Sequence, residues 1–386
     1  MPMKNMKCLW ISQFDLSPVY TDGNGQRDVS EFVRLVDRML FRVAECGFDT
    51  VFLQMRPNAD SMYPSALYPP SHYVVGAYGN AFDYDPIELF LQAAHRHGIS
   101  VHAWINPMRG MTEEEIVSVD PSYPVRAWYD NEKTKGTYLV NVGGRLYLNP
   151  AYPEVRTLIV NGADELLSRY AVDGLHMDDY FYPVTDPEFD RAAYDAYVAD
   201  GGTRTLADFR RDALDTLVSA LYARTKAHGT SKLFGISPAG NYETVYHKQY
   251  ANIYRWGKET GFVDYLCPQI YFGLCHETFD FSKTAAYWNG IEQNGDVALL
   301  IGMTLGKAKT KTDPYAGSGK NEWAERDDIL ARCLRHTTAL SGCVGVSYFC
   351  YQYFYDPVTD ASVKETEAER EHLIPLLKKT VFDRRN

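Results

Sequence analysis

Residues 172–183 read VDGLHMDDYFYP. Leu175 and Met177 share one parity of this stretch, and His176 and Asp178 share the other. An extended strand therefore sets an apolar pair on one face and a polar pair on the opposite face. The strand ends on adjacent carboxylates, Asp178 and Asp179, with Tyr180, Phe181 and Tyr182 behind them. Neighbouring carboxylates repel, which raises the proton affinity of one, so one can act as an acid while the other stays ionised. An Asp pair can also do no more than cap the following segment. The aromatic run behind it, flat apolar surface of the kind on which sugar rings stack, favours a glycosidase-like site.

Strand-like and helix-like segments alternate outward from this point in both directions, the pattern of parallel βα units. Eight strands are predicted, at Lys7–Phe14, Thr50–Arg56, Ser100–Asn106, Val172–Asp178, Lys232–Pro238, Asp264–Tyr271, Val297–Leu305 and Gly342–Phe349. Helical patterns fall near Val29–Cys46, Asp85–His97, Pro153–Tyr170, Leu206–Lys226, Tyr250–Thr260, Lys283–Gln293, Glu325–Leu340 and Lys364–Lys379. Eight of each predicts an α/β fold, a (β/α)8 TIM barrel, as a single catalytic domain over residues 1–386. The alternative, a doubly wound open sheet, lacks a glycine-rich phosphate fingerprint after its first strand. Long connections follow strand two (Pro57–Tyr84) and strand three (Pro107–Tyr152), on the face where barrel enzymes keep their sites.

Composition narrows the partners. A net charge of −11 argues against nucleic acid and anionic membrane surfaces, which want clustered Lys and Arg. No window is apolar enough for a transmembrane segment. Seven cysteines without a CxxC pair read as reduced thiols. MPMKNMKCLW runs directly into a strand, so the sequence as it stands points to the cytoplasm; removal of a leader would make the cell envelope the alternative.

Strand parity collects polar residues at the inward C-terminal tips: Arg56, Asn106, Asp178, Ser237, Gln269 and Tyr271. Barrel interiors normally fill with branched apolar side chains, so these exceptions are expected to share one mouth. Each has a plainer explanation alone: Arg56 could pair with Asp60, and His102 or His176 could be hydrogen-bonded core histidines. His102, His176 and Asp178 could also form a metal set, but HExxH is missing, and no metal or cofactor is expected. The late strand tips GISPAG, PQIYFG and GMTLG carry no carboxylate, which leaves Asp178, Asp179, Asp15 and Glu243 as candidates. An adjacent pair suits substrate-assisted hydrolysis of 2-acetamido sugars, an exception to the usual scheme of two separated carboxylates.

QMRPNADSMYPS, HAWINPMR, LNPAYPEVR, VDGLHMDDYFYP, FGISPAG and VDYLCPQIYF together resemble the bacterial glycosyl hydrolase-like family 10. That family includes a divisome-associated enzyme that cleaves denuded peptidoglycan glycan strands. The resemblance covers most of the chain and implies a barrel with its site at the C-terminal mouth. By motif match it places Arg56, Asp60, Asn106, Asp178, Asp179, Gln269 and Tyr271 there. VDGLHMDDYFYP is also similar to the FHDDA-type motif of bacterial poly-glucosamine hydrolases, which implies an aminosugar. The expectation is a glycoside hydrolase acting on a β-linked, aminosugar-containing, peptidoglycan-like polysaccharide. Asp178 is the expected acid and Asp179 the orienting carboxylate; Arg56, Asp60, Trp104, Asn106, His176, Tyr182, Gln269 and Tyr271 are expected to hold the sugar. A metal-dependent hydrolase or deacetylase and a non-catalytic glycan-binding barrel are the alternatives.

Overall fold

A computed structural model describes residues 5–23, 25–178, 181–291 and 295–382. Parallel strands Met6–Ile11, Thr50–Arg56, Ser100–Ile105, Gly174–Met177, Leu233–Ile236, Tyr265–Leu266, Ala298–Thr304 and Cys343–Phe349 form a closed barrel. They follow chain order around the wall, and the first pairs with the last, Met6 opposite Gly345. Closure gives every strand two neighbours and leaves no edge exposed. The chain is a (β/α)8 TIM barrel.

Local sequence accounts for the helices between the strands. Val29–Glu45 and Pro86–Arg96 begin on Asp28 and Asp85, whose carboxylates accept from first-turn N–H groups. Pro153 opens Pro153–Arg169 at a position with no intrahelical N–H bond to lose. The first two helices end before Gly47 and Gly98, at φ 89° and 69°, a left-handed conformation that a side chain would strain. Leu206–Ala227, Phe281–Ile291, Ile329–Thr337 and Glu367–Lys379 supply further outer helices. The helix expected over 250–260 is shorter, Ile253–Trp256, and Tyr242–His247 precedes it.

Strand alternation separates two packed layers. Val51, Leu53, Val101, Ala103, Leu175 and Met177 face the helices, where Phe32, Leu35 and Met39 meet them. Cys8, Trp10, Phe52, Trp104, Tyr265, Cys267 and Leu300 fill the interior. Large inward rings need small residues opposite. A Cβ on Gly235 would come within 2.0 Å of the Tyr265 ring, and one on Gly302 within 2.9 Å of Trp10, so glycine at both positions makes room for the rings.

The long connection after strand three has structure that the sequence reading did not foresee. Arg109–Thr112, Leu139–Val142 and Arg145–Leu148 form a three-stranded antiparallel sheet. Its hairpin turns on Gly143 and Gly144, both at positive φ. Among the described residues no helix is long and apolar enough to cross a membrane.

Candidate active site

Asp178 directly follows strand four, its N–H donating to the Ile105 carbonyl at 3.3 Å. Gln269, beyond strand six, donates through Nε2 to Asp178 Oδ1 at 2.9 Å and to the Ser237 carbonyl at 3.1 Å. One amide thereby ties the carboxylate to the ends of strands five and six. The surrounding cavity, about 150 Å³, is lined by Trp10, Gln13, Phe14, Trp104, Asn106, Arg109, Asp178, Gln269, Tyr271 and Phe349. Asn106 Oδ1 accepts from Trp104 Nε1 at 2.9 Å, while Asn106 Nδ2 donates to the Pro57 carbonyl at 3.1 Å. The Trp104 indole is thus fixed from the strand tip. Phe14 stands at the rim with 54% of its surface exposed.

Five residues expected at the mouth share this cavity: Trp104, Asn106, Asp178, Gln269 and Tyr271. Asp179, with Tyr180, lies outside the described residues. Among the described residues Asp178 is the one carboxylate lining the cavity. Asp15 sits close by but is fully buried. It accepts from the Ser12 N–H and hydroxyl at 2.6 and 2.7 Å and from the Gln352 N–H at 2.7 Å, stitching the capped first turn of helix Gln13–Tyr20 to the segment after strand eight. Burial pushes its carboxyl up to about 6 against these hydrogen bonds. Glu243 is surface-exposed beside His247, at 3.5 Å.

Four expected site residues lie elsewhere. Arg56 faces outward. The pairing of strands two and three runs Gln54 to Trp104 and then Arg56 to Ile105, a register shift at a bulge. Arg56 therefore takes the outward parity of Ile105. Its guanidinium lies 4.4 Å above the Tyr68 ring, and a Cβ on Gly162 would meet its Nη1 at 2.1 Å. Among the described residues no ion pair joins it to Asp60. Asp60 is buried in the loop after strand two, accepting from the Asn58 N–H and the Tyr78 hydroxyl, both at 2.8 Å. Burial raises its carboxyl, and the hydrogen bonds from Asn58 and Tyr78 oppose the shift. It organises that loop and does not line the cavity.

His176 belongs to the barrel interior. Its ring stacks on Phe52 at 3.9 Å and 12°. Trp10 Nε1 donates to His176 Nε2 at 3.3 Å, and His176 Nδ1 and His102 Nδ1 both lie 2.9 Å from the Tyr265 hydroxyl. An indole can only donate, so His176 carries its proton on Nδ1 and gives it to Tyr265, whose O–H donates to His102. Burial pushes His102 down to about 4 and His176 well below its ordinary value, which keeps both neutral. The two histidines converge on Tyr265, not on a common cation position with Asp178.

Tyr182 is packed between Phe189 and Tyr250, ring centroids 5.6 Å from each, with Arg210 5.2 Å from its ring centre. It borders a neighbouring cavity of about 640 Å³ with Tyr147, Phe181 and Thr185, but its faces are taken. A depression of about 550 Å³ lies at the opposite end of the barrel, around Asp49, His102 and Asp173; barrel enzymes do not place their chemistry at that end.

Trp10, Gln13, Phe14, Arg109 and Phe349 were not anticipated. Arg109 was visible as the basic residue three places past Asn106 in HAWINPMR. Trp10 and Phe349 lie within strands one and eight, and Phe14 follows strand one, all without a polar signal, while Gln13 lies just past the tip of strand one.

Residues 5–316 match the sequence profile described as Glycosyl hydrolase-like 10. The chain belongs to the glycosyl hydrolase-like 10 family. It is 32% identical over 336 residues to Glycosyl hydrolase YngK of Bacillus subtilis (strain 168), covering 81% of this chain. The match spans 62% of the length of that relative. Glycosyl hydrolase DigH of Escherichia coli (strain K12) is 27% identical over 391 residues, covering 94% of this chain and 86% of that protein. Among solved structures, the PgaB (BpsB) glycoside hydrolase domain from Bordetella bronchiseptica superposes with TM-score 0.58 at 13% identity, covering 96% of this chain and 99% of that one. The catalytic domain of a Paenibacillus polymyxa beta-amylase superposes with TM-score 0.60 at 10% identity, covering 97% of this chain and 99% of that one. These likenesses show that the family's barrel is the one used by glycoside hydrolases.

Proposed function

We propose that this family member hydrolyses a β-linked, aminosugar-containing glycan, a peptidoglycan-like strand, with Asp178 as the general acid. The observation that carries this reading is Asp178 held by Gln269 in an aromatic-lined cavity where, among the described residues, no second carboxylate is present. A common retaining or inverting scheme needs a carboxylate across the scissile bond. With Asp178 the one carboxylate of the lining among the described residues, the oxocarbenium-like centre is better served by the substrate's own 2-acetamido oxygen, and by Asp179 as its orienting neighbour. In this scheme Asp178 protonates the leaving oxygen, the acetamido oxygen attacks the anomeric carbon, and water then opens the cyclic intermediate. Trp104, Tyr271 and Phe14 present ring surface to the sugar, and Asn106 fixes Trp104.

Mass-spectrometric product analysis on peptidoglycan strands, chitin and poly-glucosamine tests the proposal. Cleavage of the N-acetylated glycans with poly-glucosamine left intact is expected. Equal cleavage of the deacetylated polymer would remove the acetamido step. Cleavage of none would remove the activity.

A further inference from the structure

A file of aromatic side chains lies on the outer flank of the barrel, beginning one residue after the mouth. Tyr271 lines the cavity around Asp178, and Phe272 follows it in the chain. Phe272 stacks with Phe279 at 5.5 Å and 22°, and Phe279 meets the edge of Tyr242 at 6.1 Å. Tyr242 lies flat on Tyr287 at 3.6 Å and 14°. The Tyr287 hydroxyl is 2.8 Å from that of Tyr254, which meets Tyr246 at 4.9 Å. Arg211 covers the far end, 4.6 Å from the Tyr246 ring centre. These rings come from four separate segments: the loop after strand six, Tyr242–His247, Ile253–Trp256 and Phe281–Ile291.

Phe272, Tyr242 and Tyr254 pack partly against the core, but the short helices are anchored beneath them by Phe281, Trp256 and Trp288, all fully buried, with Trp288 Nε1 donating to the Gly240 carbonyl at 2.9 Å. The file residues instead keep surface exposed: Tyr287 shows 39% of its surface, and Phe272, Phe279, Tyr242, Tyr254 and Tyr246 are half-buried. Tyrosine combines a flat apolar face with a hydroxyl at its rim. A sugar needs both, an apolar C–H face to stack and hydroxyls to bond.

We propose that this file is a second carbohydrate-binding surface, a track that holds a linear neutral glycan strand and begins at Phe272, the residue after Tyr271 of the mouth. The inference rests on the glycan-hydrolase reading for its ligand class, not for its geometry. A narrow single file of rings matches a linear polymer better than the broad patch that a protein interface buries. The formal net charge of −11 disfavours a strongly anionic strand along this flank.

The test compares Tyr287→Ala/Tyr254→Ala with Tyr287→Phe/Tyr254→Phe on insoluble chitin and a soluble chitin tetramer, both neutral. Binding is read by co-sedimentation in the Asp178→Asn background, where turnover does not interfere. The alanine pair should lose roughly fivefold or more in polymer binding, and the phenylalanine pair should retain most of it. In the Asp178 enzyme the alanine pair should lose turnover on polymer while staying within about twofold on the tetramer, since a short oligomer never reaches the track. Equal loss on polymer and tetramer, or no loss on either, overturns the track. So does light scattering that shows the alanine pair dissociating a dimer, which would make the file a self-interface. If the parent sediments with polymer through these tyrosines yet cleaves none of the glycans, the hydrolase reading fails and the track stands.

Discussion

Strands two and four end alike in sequence and differently in space. Both alternate cleanly, and both carry a charged residue on the inward parity at the tip, Arg56 in one and Asp178 in the other. Strand four keeps its register against strand three, His102 to Gly174 through Ile105 to Met177, and Asp178 enters the cavity. Strand two gains a residue between Gln54 and Arg56, and Arg56 turns into the helix layer against Tyr68 and Gly162. Parity is reliable only while the ladder is unbroken; one bulged residue exchanges the two faces.

The largest expected effect follows from this contrast. Asp178→Asn preserves shape but removes the transferable proton, so turnover should fall roughly a hundredfold or more, the scale of general acid catalysis, while the melting temperature barely moves. Substrates with very good leaving groups should recover much of the loss. Steady-state kinetics on a β-linked N-acetylglucosaminide series would measure both. Near-parental turnover across the series would end the role of Asp178.

Arg56 should show the converse. Arg56→Ala leaves a cavity among Tyr68, Tyr63 and the Gly162 helix and should cost roughly 2–4 kcal/mol of stability, read by urea unfolding, with kcat and KM of the folded enzyme unchanged. Arg56→Met fills much of the same volume without a buried cation and should lose far less. A rise in KM for the methionine variant would return Arg56 to the substrate.

The barrel interior gives an intermediate effect through pH. His102 and His176 bind protons more weakly folded than unfolded. Their stabilisation is complete above the unfolded histidine range and is lost as pH falls from about 6.5. Asp15, raised to about 6, has the opposite sign: the folded state holds its proton more tightly, so stability is gained as pH falls through 6. As pH falls from 7 to 5 the two histidines lower stability, while the raised carboxyls of Asp15 and Asp60 offset part of the loss. Asp15→Asn removes one of the opposing contributions and should steepen the loss. A shallower pH dependence in that variant would contradict the sign assigned to Asp15.

The barrel was legible because its strands lie in alternating or continuous apolar runs, each followed by a helical period. Cap residues such as Asp28 and Asp85 mark where the helices begin. The antiparallel sheet after strand three was missed because its four-residue strands are too short for periodicity to stand out. Yet LVNVGGRLYL, with Gly-Gly between alternating runs, is a hairpin signal. At the site, polar strand tips were legible for Asn106, Asp178 and Gln269. His176 was misplaced because parity gives the face and not the depth: it points inward but lies in the interior layer of Phe52 and Tyr265. Trp10, Phe14 and Phe349 carry no polar signature, so a search for polar exceptions passed over them.

Phe14 and Tyr182 carry the same comparison to its smallest effect. The sequence points to Tyr182 as the sugar platform because it follows the carboxylate pair, yet its ring is enclosed by Phe189, Tyr250 and Arg210. Phe14 has no such position in the sequence, yet it stands half open on the rim of the cavity around Asp178, with the edge of Tyr73 at 6.1 Å. Phe14→Ala should therefore raise KM roughly threefold to tenfold, the weight of one lost stacking contact, and leave kcat and melting temperature unchanged. Tyr182→Ala should lower the melting temperature by several degrees, since it empties a packed site, and change KM little in the folded fraction. Glycan titration and thermal melts of the two variants together decide between proximity in sequence and exposure at the mouth. A Phe14→Ala enzyme with parental KM beside a Tyr182→Ala enzyme with weakened binding would restore the sequence's choice.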